Sequence, residues 1–345
     1  MTPRRRIWSE LLPLEDVRSP RVLELLRRYG LELAVAVQPD TAAALPDLVL
    51  ACADAGVEVA AWPMIADEDG RWAHAGNAAA FGAFVGRVLA GLAARRAVVR
   101  EVVFDLEPPI AAVRGALAAA AGAARLVAAA AGEDLEGGGR AYAELAARLG
   151  GGGIAASAAA VPMVLVGHRA WPAWERALGT PVSAVAWEHV SVMLYTSMVE
   201  GWSRGLLRRE DAVSLLGWGC LAARRRYGVR AGVSLGAVGP GALGDEPIYR
   251  GVRELREDVA IARAAGVERL ALFDLAGVLA RPPAEAWLDA FVGTPPAPAP
   301  LPAPTLRARG AVGVAMAAAA AVGAAVGAAA AVKAAVGGSP SRGPW

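Results

Sequence analysis

Short apolar segments alternate with longer amphipathic segments along most of the chain. The amphipathic segments predict helices, several with recognisable ends, such as Ser19-Pro20 at a start and Gly30 at a close. Alternating strands and helices predict a parallel sheet. Eight such units in about 290 residues match an α/β fold of the (β/α)8 TIM barrel type, with a doubly wound open sheet as the alternative. The predicted strands are Arg6–Leu12, Leu31–Gln38, Val57–Met64, Glu101–Glu107, Gly153–Ala159, His189–Tyr195, Arg230–Gly236 and Arg269–Asp274.

The pattern changes after residue 293, where a Pro/Ala-rich stretch begins. We predict a barrel over 1–293, a linker over 294–309, a candidate transmembrane helix over 310–333 and a disordered tail over 334–345. Residues 310–332 carry no charge, are long enough to span a bilayer, and place Gly323 and Gly327 at GxxxG spacing. Because Ala and Gly are weakly hydrophobic, a low-complexity tail and an Ala-rich helix outside a membrane are the alternatives. Within the barrel, Gly137–Gly139 predicts a break in the helical region that follows the fourth strand.

Composition and charge narrow the classes of partner. The net charge is only +2, which does not resemble a nucleic-acid-binding surface. Cys52 and Cys220 lie in apolar helical patterns without CxxC spacing and are predicted to be buried thiols. His74, His168 and His189 are scattered, so we predict no metal and no other cofactor. The N-terminal arginines lack an apolar stretch behind them, which predicts no signal peptide; we expect membrane anchoring through the C-terminal segment or a cytoplasmic location.

The fourth predicted strand ends in two carboxylates. Side chains alternate along a strand, so Asp105 and Glu107 share one face while Phe104 and Leu106 share the other. The apolar pair suits the layer under the helices, which turns the acidic pair into the barrel lumen, at the strand end where barrels carry catalytic groups. Neighbouring carboxylates raise each other's pKa, and a protonated Glu beside an Asp can donate its proton to a glycosidic oxygen. Paired carboxylates are typical of glycosidases.

Other polar and aromatic residues collect at the predicted strand ends. Tyr195 is predicted to face the lumen from the sixth strand, where it can hydrogen-bond a substrate or a developing charge. Tryptophan is abundant, with 10 residues against 5 Phe and 5 Tyr, and its rings stack on sugars. The carbohydrate-binding candidates are Trp8, Glu10, Gln38, Trp62, Met193, Trp202, Ser234 and Asp274.

The fourth and sixth strands together resemble the family-18 glycoside hydrolases, the chitinase-like barrels. In that family the fourth strand ends in DxxDxDxE and the sixth carries a Met-x-Tyr-Asp motif. The resemblance implies retaining, substrate-assisted hydrolysis of N-acetylhexosamine linkages in glycans of the chitin or peptidoglycan type. It implies Glu107 as the general acid/base and Asp105 as the residue that orients the acetamido group. It further implies that Tyr195 hydrogen-bonds the acetamido carbonyl oxygen.

The sequence also departs from the family pattern. Arg100, Val103 and Thr196 stand where the family has aspartates, and the eighth strand lacks the family's tryptophan. These departures leave a second hypothesis, a non-catalytic glycan-binding or scaffold barrel tethered to a membrane. A third hypothesis, an enzyme acting on a phosphorylated small molecule, comes from the glycine-rich loop Gly236–Gly244, because barrels often bind phosphate after strands seven and eight.

Overall fold

The computed structural model describes residues 4–118, 130, 133–166, 173–298 and 301–337, of which 322–337 are described by their backbone alone. Eight parallel strands form a closed barrel in sequence order, which confirms the (β/α)8 TIM barrel. The predicted strand bounds agree with the structure to within three residues, and the largest difference is at the end of the first strand. The strands are β1 Arg4–Ser9, β2 Glu32–Val37, β3 Val59–Pro63, β4 Glu101–Leu106, β5 Ala155–Ala160, β6 Val190–Met193, β7 Ala231–Gly236 and β8 Arg269–Phe273.

Helices surround the barrel. As predicted, Ser19 occupies the N-cap position of the second helix, Pro20 is its first residue, and Gly30 follows its end with a φ of 58°. The Ser19 side chain makes no capping hydrogen bond. The α-helices of the described ranges are α1 Leu14–Val17, α2 Pro20–Arg28, α3 Leu45–Asp54, α4 Ala78–Ala94, α5 Ile110–Leu117, α6 Leu135–Gly151, α7 Ala173–Leu178, α8 Thr196–Trp202, α9 Arg209–Tyr227, α10 Val252–Ala264, α11 Leu275–Ala280, α12 Ala284–Gly293 and α13 Leu306–Gly337.

Strand alternation divides the core into two layers. Phe104 and Leu106 belong to the large apolar cluster between strands and helices, while Val103 belongs to a separate cluster in the lumen. The predicted alternation of the fourth strand is therefore confirmed. Full burial of a side chain such as Phe104 contributes roughly 1.5–3 kcal/mol. The register also fixes the height of each lumen residue, so that Asp105 lies beside Ala159 of β5 near the C-terminal end of the barrel, called the mouth here.

An ion pair fills the opposite end of the lumen. Arg6 donates hydrogen bonds of 2.7 Å to both carboxylate oxygens of Glu101, and Ser157 donates a further one. Burial alone would raise the pKa of Glu101, but the charge and hydrogen bonds of Arg6 outweigh it and lower the pKa to about 2. This layer closes the barrel floor with satisfied polar groups and leaves the functional chemistry to the mouth.

The predicted helix break at Gly137–Gly139 is wrong, because these glycines lie inside α6. A Cβ on Gly138 would lie 2.6 Å from the Ala75 Cα, and one on Gly139 would lie 2.7 Å from the Ala184 Cβ. The glycines are therefore explained by close approach of neighbouring segments and not by a turn.

The cysteines and histidines are dispersed in the structure. Cys52 and Cys220 are buried free thiols, which confirms that prediction. His74 and His189 are buried in separate parts of the fold, and His168 lies outside the described residues. In the described ranges, no group of three His, Cys, Asp or Glu residues is arranged to hold a metal ion.

The C-terminal segment returns to the barrel. Helix α13 begins at Leu306, inside the range predicted as a linker. The Thr305 hydroxyl donates a 2.5 Å hydrogen bond to Asp211 of α9, and the Trp174 indole of α7 donates to the Ala315 carbonyl at 3.2 Å. Ala308 and Ala319 are buried. The first part of α13 is thus docked on the barrel, and its insertion into a membrane stays a prediction.

One helical stretch of the described chain, Ala75–Ala94, has the length and apolar composition of a membrane span. It contains α4, which buries Phe81, Phe84 and Val85 in the layer between strands and helices. A helix that covers a barrel strand has the same composition, so this stretch is explained by its place in the fold.

Candidate active site

The mouth of the barrel carries the acidic pair at the end of β4. Asp105 is 2% exposed, and Glu107 follows the last strand residue. The Asp105 carbonyl accepts a 2.8 Å hydrogen bond from the Ala73 N–H, which holds the loop after β3 against this strand end. Pro108 and Pro109 follow the pair, and Pro109 occupies the N-cap position of α5. The backbone on both sides of the pair is held in place, and the two carboxyl groups lie close enough to affect each other's pKa.

Burial governs the protonation of this pair. It raises the pKa of Asp105 to about 7, against the opposing effects of the Trp62 indole, the hydrogen bond to Glu107 and the charge of Arg71. Burial raises the pKa of Glu107 well above its ordinary value, and the charges of Asp105 and Glu10 add to the rise. Glu107 therefore keeps its proton to a higher pH than an ordinary glutamate does, with Asp105 as its closest carboxyl neighbour.

Three more buried carboxyl groups line the mouth, and we call Glu10, Glu246 and Asp274 the acidic arc. Glu10 follows β1, Asp274 follows β8, and Glu246 lies in the connection after β7. These strands are neighbours in the barrel, since β8 pairs with both β7 and β1. Burial raises the pKa of Glu10 to about 8 and that of Asp274 to about 6. The sequence singled out Glu10 and Asp274 but not Glu246, which lies on a loop without a motif.

The glycine-rich loop Gly236–Gly244 passes between the members of the acidic arc. A Cβ on Gly241 would lie 3.0 Å from the Glu10 Oε2 and 3.1 Å from the Glu246 Oε1. Glycine at this position is what lets the backbone pass between the two carboxyl groups. The loop thus borders carboxyl groups, and its role in phosphate binding stays a prediction.

Arg71 is a site residue that the sequence did not reveal. It lies in the loop after β3 with a φ of 62°, and its Nη2 is 3.5 Å from the Glu10 Oε1. Its Nη1 is 2.6 Å from Asp67, which also meets Arg114 at 3.0 Å. Arg114 donates to the Ala242 carbonyl, so these contacts join the β3 and β7 loops. A positive φ at a non-glycine residue is uncommon, but a local sequence pattern does not predict it.

Aromatic side chains fill the lumen below the carboxyl groups. The rings of Trp8 and Trp62 meet edge to face at 4.7 Å, and those of Tyr195 and Phe273 lie 5.6 Å apart. The Trp8 indole donates a 3.1 Å hydrogen bond to Ser234, so these two residues satisfy each other inside the barrel. Trp62 lies nearer the mouth than Trp8 does. It faces Asp105 and is therefore next to the acidic pair.

The remaining predicted sugar-binding residues are spread around the barrel. Gln38 begins the turn after β2, where its N–H bonds the Thr41 hydroxyl at 2.9 Å. Met193 is the last residue of β6. Trp202 lies at the end of α8 and is 41% exposed, so its predicted place at a strand end is wrong. The sequence did not reveal Trp72, which is buried in the lumen cluster. No described contact joins Gln38, Met193 or Trp202 to the acidic pair, and their sugar-binding roles stay predictions.

Tyr195 reaches the mouth from the end of β6. Burial raises the pKa of its phenol well above the ordinary value, and the charges of Asp105 and Glu107 add to this, so the hydroxyl stays a neutral donor. The next residue, Thr196, turns away from the lumen and donates to Asp258 at 2.5 Å. Arg209 donates to the Thr196 hydroxyl at 2.7 Å. Thr196 therefore anchors Tyr195 to the helix layer.

Several buried polar atoms at the mouth have no hydrogen-bond partner in the part of the chain that the structure describes. The Trp62 indole N–H faces Asp105 without reaching hydrogen-bond geometry. An unsatisfied buried polar atom costs about 1–3 kcal/mol, so these atoms are available to hydrogen-bond water or a polar ligand. The atoms are Trp62 Nε1, Arg71 Nε, Asp105 Oδ1, Glu246 Oε2 and Asp274 Oδ2.

Comparison with known proteins supports the fold. No protein-family model and no curated protein matches the sequence. The glycoside hydrolase domain of PgaB (BpsB) from Bordetella bronchiseptica is similar, with a TM-score of 0.52 and 15% identity over 84% of this chain and 99% of that one. A GH18 chitinase from Pseudoalteromonas aurantia matches with a TM-score of 0.45 and 12% identity over 84% and 99%. An L-ribulose 3-epimerase matches with a TM-score of 0.45 and 15% identity over 99% and 100%.

Glycoside hydrolase barrels are thus among the structural neighbours of this chain. At these identities the likeness establishes the TIM barrel and not the activity. The residues at the mouth of the barrel decide what this chain can do chemically.

Proposed function

We propose that this chain is a glycoside hydrolase that cleaves N-acetylhexosamine-containing glycans of the chitin or peptidoglycan type. The observation that carries the proposal is the pair formed by Asp105, which is 2% exposed, and Glu107, whose pKa burial and the neighbouring carboxyl groups raise well above its ordinary value. A general acid has to be protonated at the working pH before it can give its proton to a leaving group. The glycoside hydrolase barrel among the structural neighbours has the same fold.

The proposed reaction is retaining and substrate-assisted. In the first step, the acetamido oxygen of the substrate attacks the anomeric carbon while the glycosidic bond breaks. Glu107 transfers its proton to the departing oxygen. Asp105 accepts a hydrogen bond from the acetamido N–H, and the Tyr195 hydroxyl donates one to the acetamido oxygen.

In the second step, the Glu107 carboxylate takes a proton from water. The water oxygen attacks the anomeric carbon, the bond to the acetamido oxygen breaks, and the acetamido group is restored. Two displacements at one carbon retain its configuration. The raised pKa of Glu107 suits both steps, because the group must give a proton and then recover one.

Replacing the proton donor tests the proposal. Glu107→Gln keeps the shape of the side chain and should lower the turnover of chitooligosaccharides or muropeptides by about 100-fold or more. Glu136→Gln, on the exposed face of α6, is the matched control and should turn over at the wild-type rate. Circular dichroism of both variants checks the fold. Unchanged turnover in Glu107→Gln would remove Glu107 from the mechanism.

A second candidate function is glycan binding without turnover. The specific observation behind it is Thr196, which stands where the family has an aspartate and is engaged by Asp258 and Arg209. This leaves Asp105 without the family's aspartate after Tyr195. Glycan binding by the wild type, with no product released across a panel of N-acetylated oligosaccharides, would support this function over hydrolysis.

A further inference from the structure

We propose that the base of the barrel, the end opposite the mouth, is a docking surface for an anionic lipid membrane. The surface consists of two segments that we call the base loops, residues 95–100 before β4 and residues 224–230 before β7. The inference is independent of the proposed hydrolysis, because both segments precede their strands and so lie at the end of the barrel away from Glu107.

The first argument is the charge of the base loops. Residues 95–100 contain three arginines, residues 224–230 contain four, and neither segment contains Asp or Glu. Arg96, Arg100 and Arg225 are exposed and have no ion-pair partner in the part of the chain that the structure describes. The base loops therefore present positive charge that no carboxylate neutralises, which the net charge of +2 for the whole chain conceals.

Helix stability alone does not account for this charge. A cation in the last turn of a helix offsets the helix dipole, and Arg224 and Arg225 lie in the last turn of α9. Arg100 lies six residues beyond Ala94, the last residue of α4, where the effect of the dipole has faded. Its exposed charge is thus free to meet a partner.

The second argument is that each base loop exposes a valine between arginines. Val98 is 74% exposed and Val229 is 84% exposed, whereas the neighbouring Val99 is buried in the core. Surfaces that bind at a membrane interface combine these two kinds of side chain. The cations meet the anionic headgroups, and the aliphatic groups enter the boundary of the acyl chains.

The third argument is that the two base loops share one plane. The eight strands run parallel in a closed barrel, so the segments before β4 and β7 lie at the same end. Only β5 and β6 separate these strands, which puts the loops about 14 Å apart at about 4.8 Å for each strand pair. One lipid surface can therefore contact both loops, and a barrel docked in this way keeps its mouth open to water. A nucleic acid would satisfy the arginines but would leave the two valines without an apolar layer.

Co-sedimentation of the full-length chain with vesicles tests the charge. Phosphatidylcholine vesicles that contain phosphatidylserine should bind the chain more tightly than phosphatidylcholine alone, and less so as salt rises from about 50 to about 500 mM. Arg100→Gln combined with Arg225→Gln should weaken this binding by about 25-fold, at about 5-fold for each arginine.

A matched control removes the same charge at the other end of the barrel. Arg140 and Arg253 are exposed in the first two turns of α6 and α10, which begin at the mouth. Arg140→Gln combined with Arg253→Gln should bind within about 2-fold of the wild type, because both positions lie beyond the screening length from a membrane at the base. Glu188→Gln should strengthen binding, because it removes an exposed carboxylate from the segment before β6, between the base loops.

Two further measurements test the valines and the orientation. Val98→Thr combined with Val229→Thr keeps the shape of both exposed side chains and should weaken binding by about 3-fold or more. A polarity-sensitive fluorophore on Val98→Cys should shift to the blue on anionic vesicles. The same label on Leu206→Cys, which is 77% exposed in the connection after β6 at the mouth, should not shift. Cys52 and Cys220 are buried, so the label is selective.

The outcomes separate membrane docking by the base from other modes of binding. Equal binding to both kinds of vesicle, or binding that the double substitution of Arg100 and Arg225 leaves unchanged, would overturn the proposal and assign lipid binding to α13. Duplex DNA that binds as tightly as the anionic vesicles, with no effect of the valine substitutions, would overturn it in favour of a soluble polyanion. A blue shift at Leu206 and not at Val98 would overturn the orientation.

The proposed hydrolysis is judged by a separate measurement. Turnover of a soluble chitooligosaccharide should be the same in the wild type and in the base-loop variants, because these substitutions lie at the end of the barrel away from the mouth. A wild type that binds anionic vesicles without turning over glycans would support the docking surface and contradict the hydrolysis. A wild type that turns over glycans without binding vesicles would do the reverse.

Discussion

The hydroxyl of Thr196 donates a 2.5 Å hydrogen bond to the carboxylate of Asp258, which has no exposed surface. Arg209 and the Tyr249 hydroxyl donate to the same carboxylate at 2.5 and 2.7 Å. Because Thr196 follows Tyr195 in the chain, this network also fixes the position of Tyr195, whose phenol lies near the acidic pair. The position of Tyr195 thus depends on α9 and α10, which carry Arg209 and Asp258.

Removing the buried carboxylate should destabilise the fold. Asp258→Ala leaves Arg209 without its buried partner and should lower the free energy of unfolding by about 3–5 kcal/mol, measured by urea denaturation. Glu257→Gln is the matched control, because Glu257 also pairs with Arg209 but is half exposed, and its loss should cost less than about 1 kcal/mol. Equal effects of the two substitutions would show that the burial of Asp258 has no energetic role.

The pH dependence of turnover should follow the acidic pair. Glu107 must be protonated, so activity should fall as pH rises through its raised pKa. Asp105 must be ionised to accept the acetamido N–H, so activity should also fall as pH drops below about 7. The two groups titrate together and define a bell-shaped profile of kcat/KM. Asp105→Asn should remove the acidic limb; an acidic limb that survives this substitution belongs to another group.

Glu10 should make the fold less stable at high pH. Its pKa is raised from about 4.3 in the unfolded chain to about 8 in the fold, chiefly by burial. The folded state therefore binds the proton more tightly, and the free energy of unfolding decreases as pH rises across this window. The urea midpoint of Glu10→Gln minus that of the wild type should therefore be larger at about pH 8 than at about pH 5. An identical difference at both pH values would contradict the raised pKa.

Two glycines of α6 should respond in opposite ways to alanine. Gly138→Ala puts a Cβ 2.6 Å from the Ala75 backbone and should destabilise the fold by about 1–3 kcal/mol. Gly150 has nothing within 4 Å of an added Cβ, so Gly150→Ala should be neutral or stabilising by about 0.5–1 kcal/mol. Thermal unfolding of the two variants measures both signs. A stable Gly138→Ala variant would mean that Ala75 can move away.

Residue patterning predicted the barrel and its acidic pair because both are local properties of strands. Side chains alternate along a strand, so the apolar residues Phe104 and Leu106 were predicted to lie under the helices and Asp105 in the lumen. The start of β1 was predicted two residues late, because Arg4 and Arg5 have the charge of surface residues although Arg5 is only 7% exposed. Arg71 and Glu246 escaped prediction because they lie on loops, where no period exists. Their roles arise from contacts between distant segments that a single sequence does not reveal.

Deletion of residues 305–345 should weaken the barrel as well as remove the tail. The deletion removes the hydrogen bond of Thr305 to Asp211 and that of Trp174 to the Ala315 carbonyl. Exposing the surface of α7 and α9 that α13 covers should lower the free energy of unfolding by about 1–3 kcal/mol. Arg309→Ala is the control, because the Arg309 side chain bonds only the Pro304 carbonyl, five residues earlier, among the described residues. An unchanged urea midpoint in the truncated chain would show that the docking is energetically neutral.

Docking of α13 also limits what this helix can do in a lipid bilayer. Ala319 is buried, and only residues 320–332 remain before Lys333. That remainder makes about 20 Å of helix, whereas the hydrocarbon core is about 30 Å thick. A full span by residues 310–332 would therefore have to pull Ala315 and Ala319 off the barrel. The bilayer and the barrel therefore compete to bury the same helix, and insertion of α13 into the bilayer would expose the surface of the barrel that this helix covers.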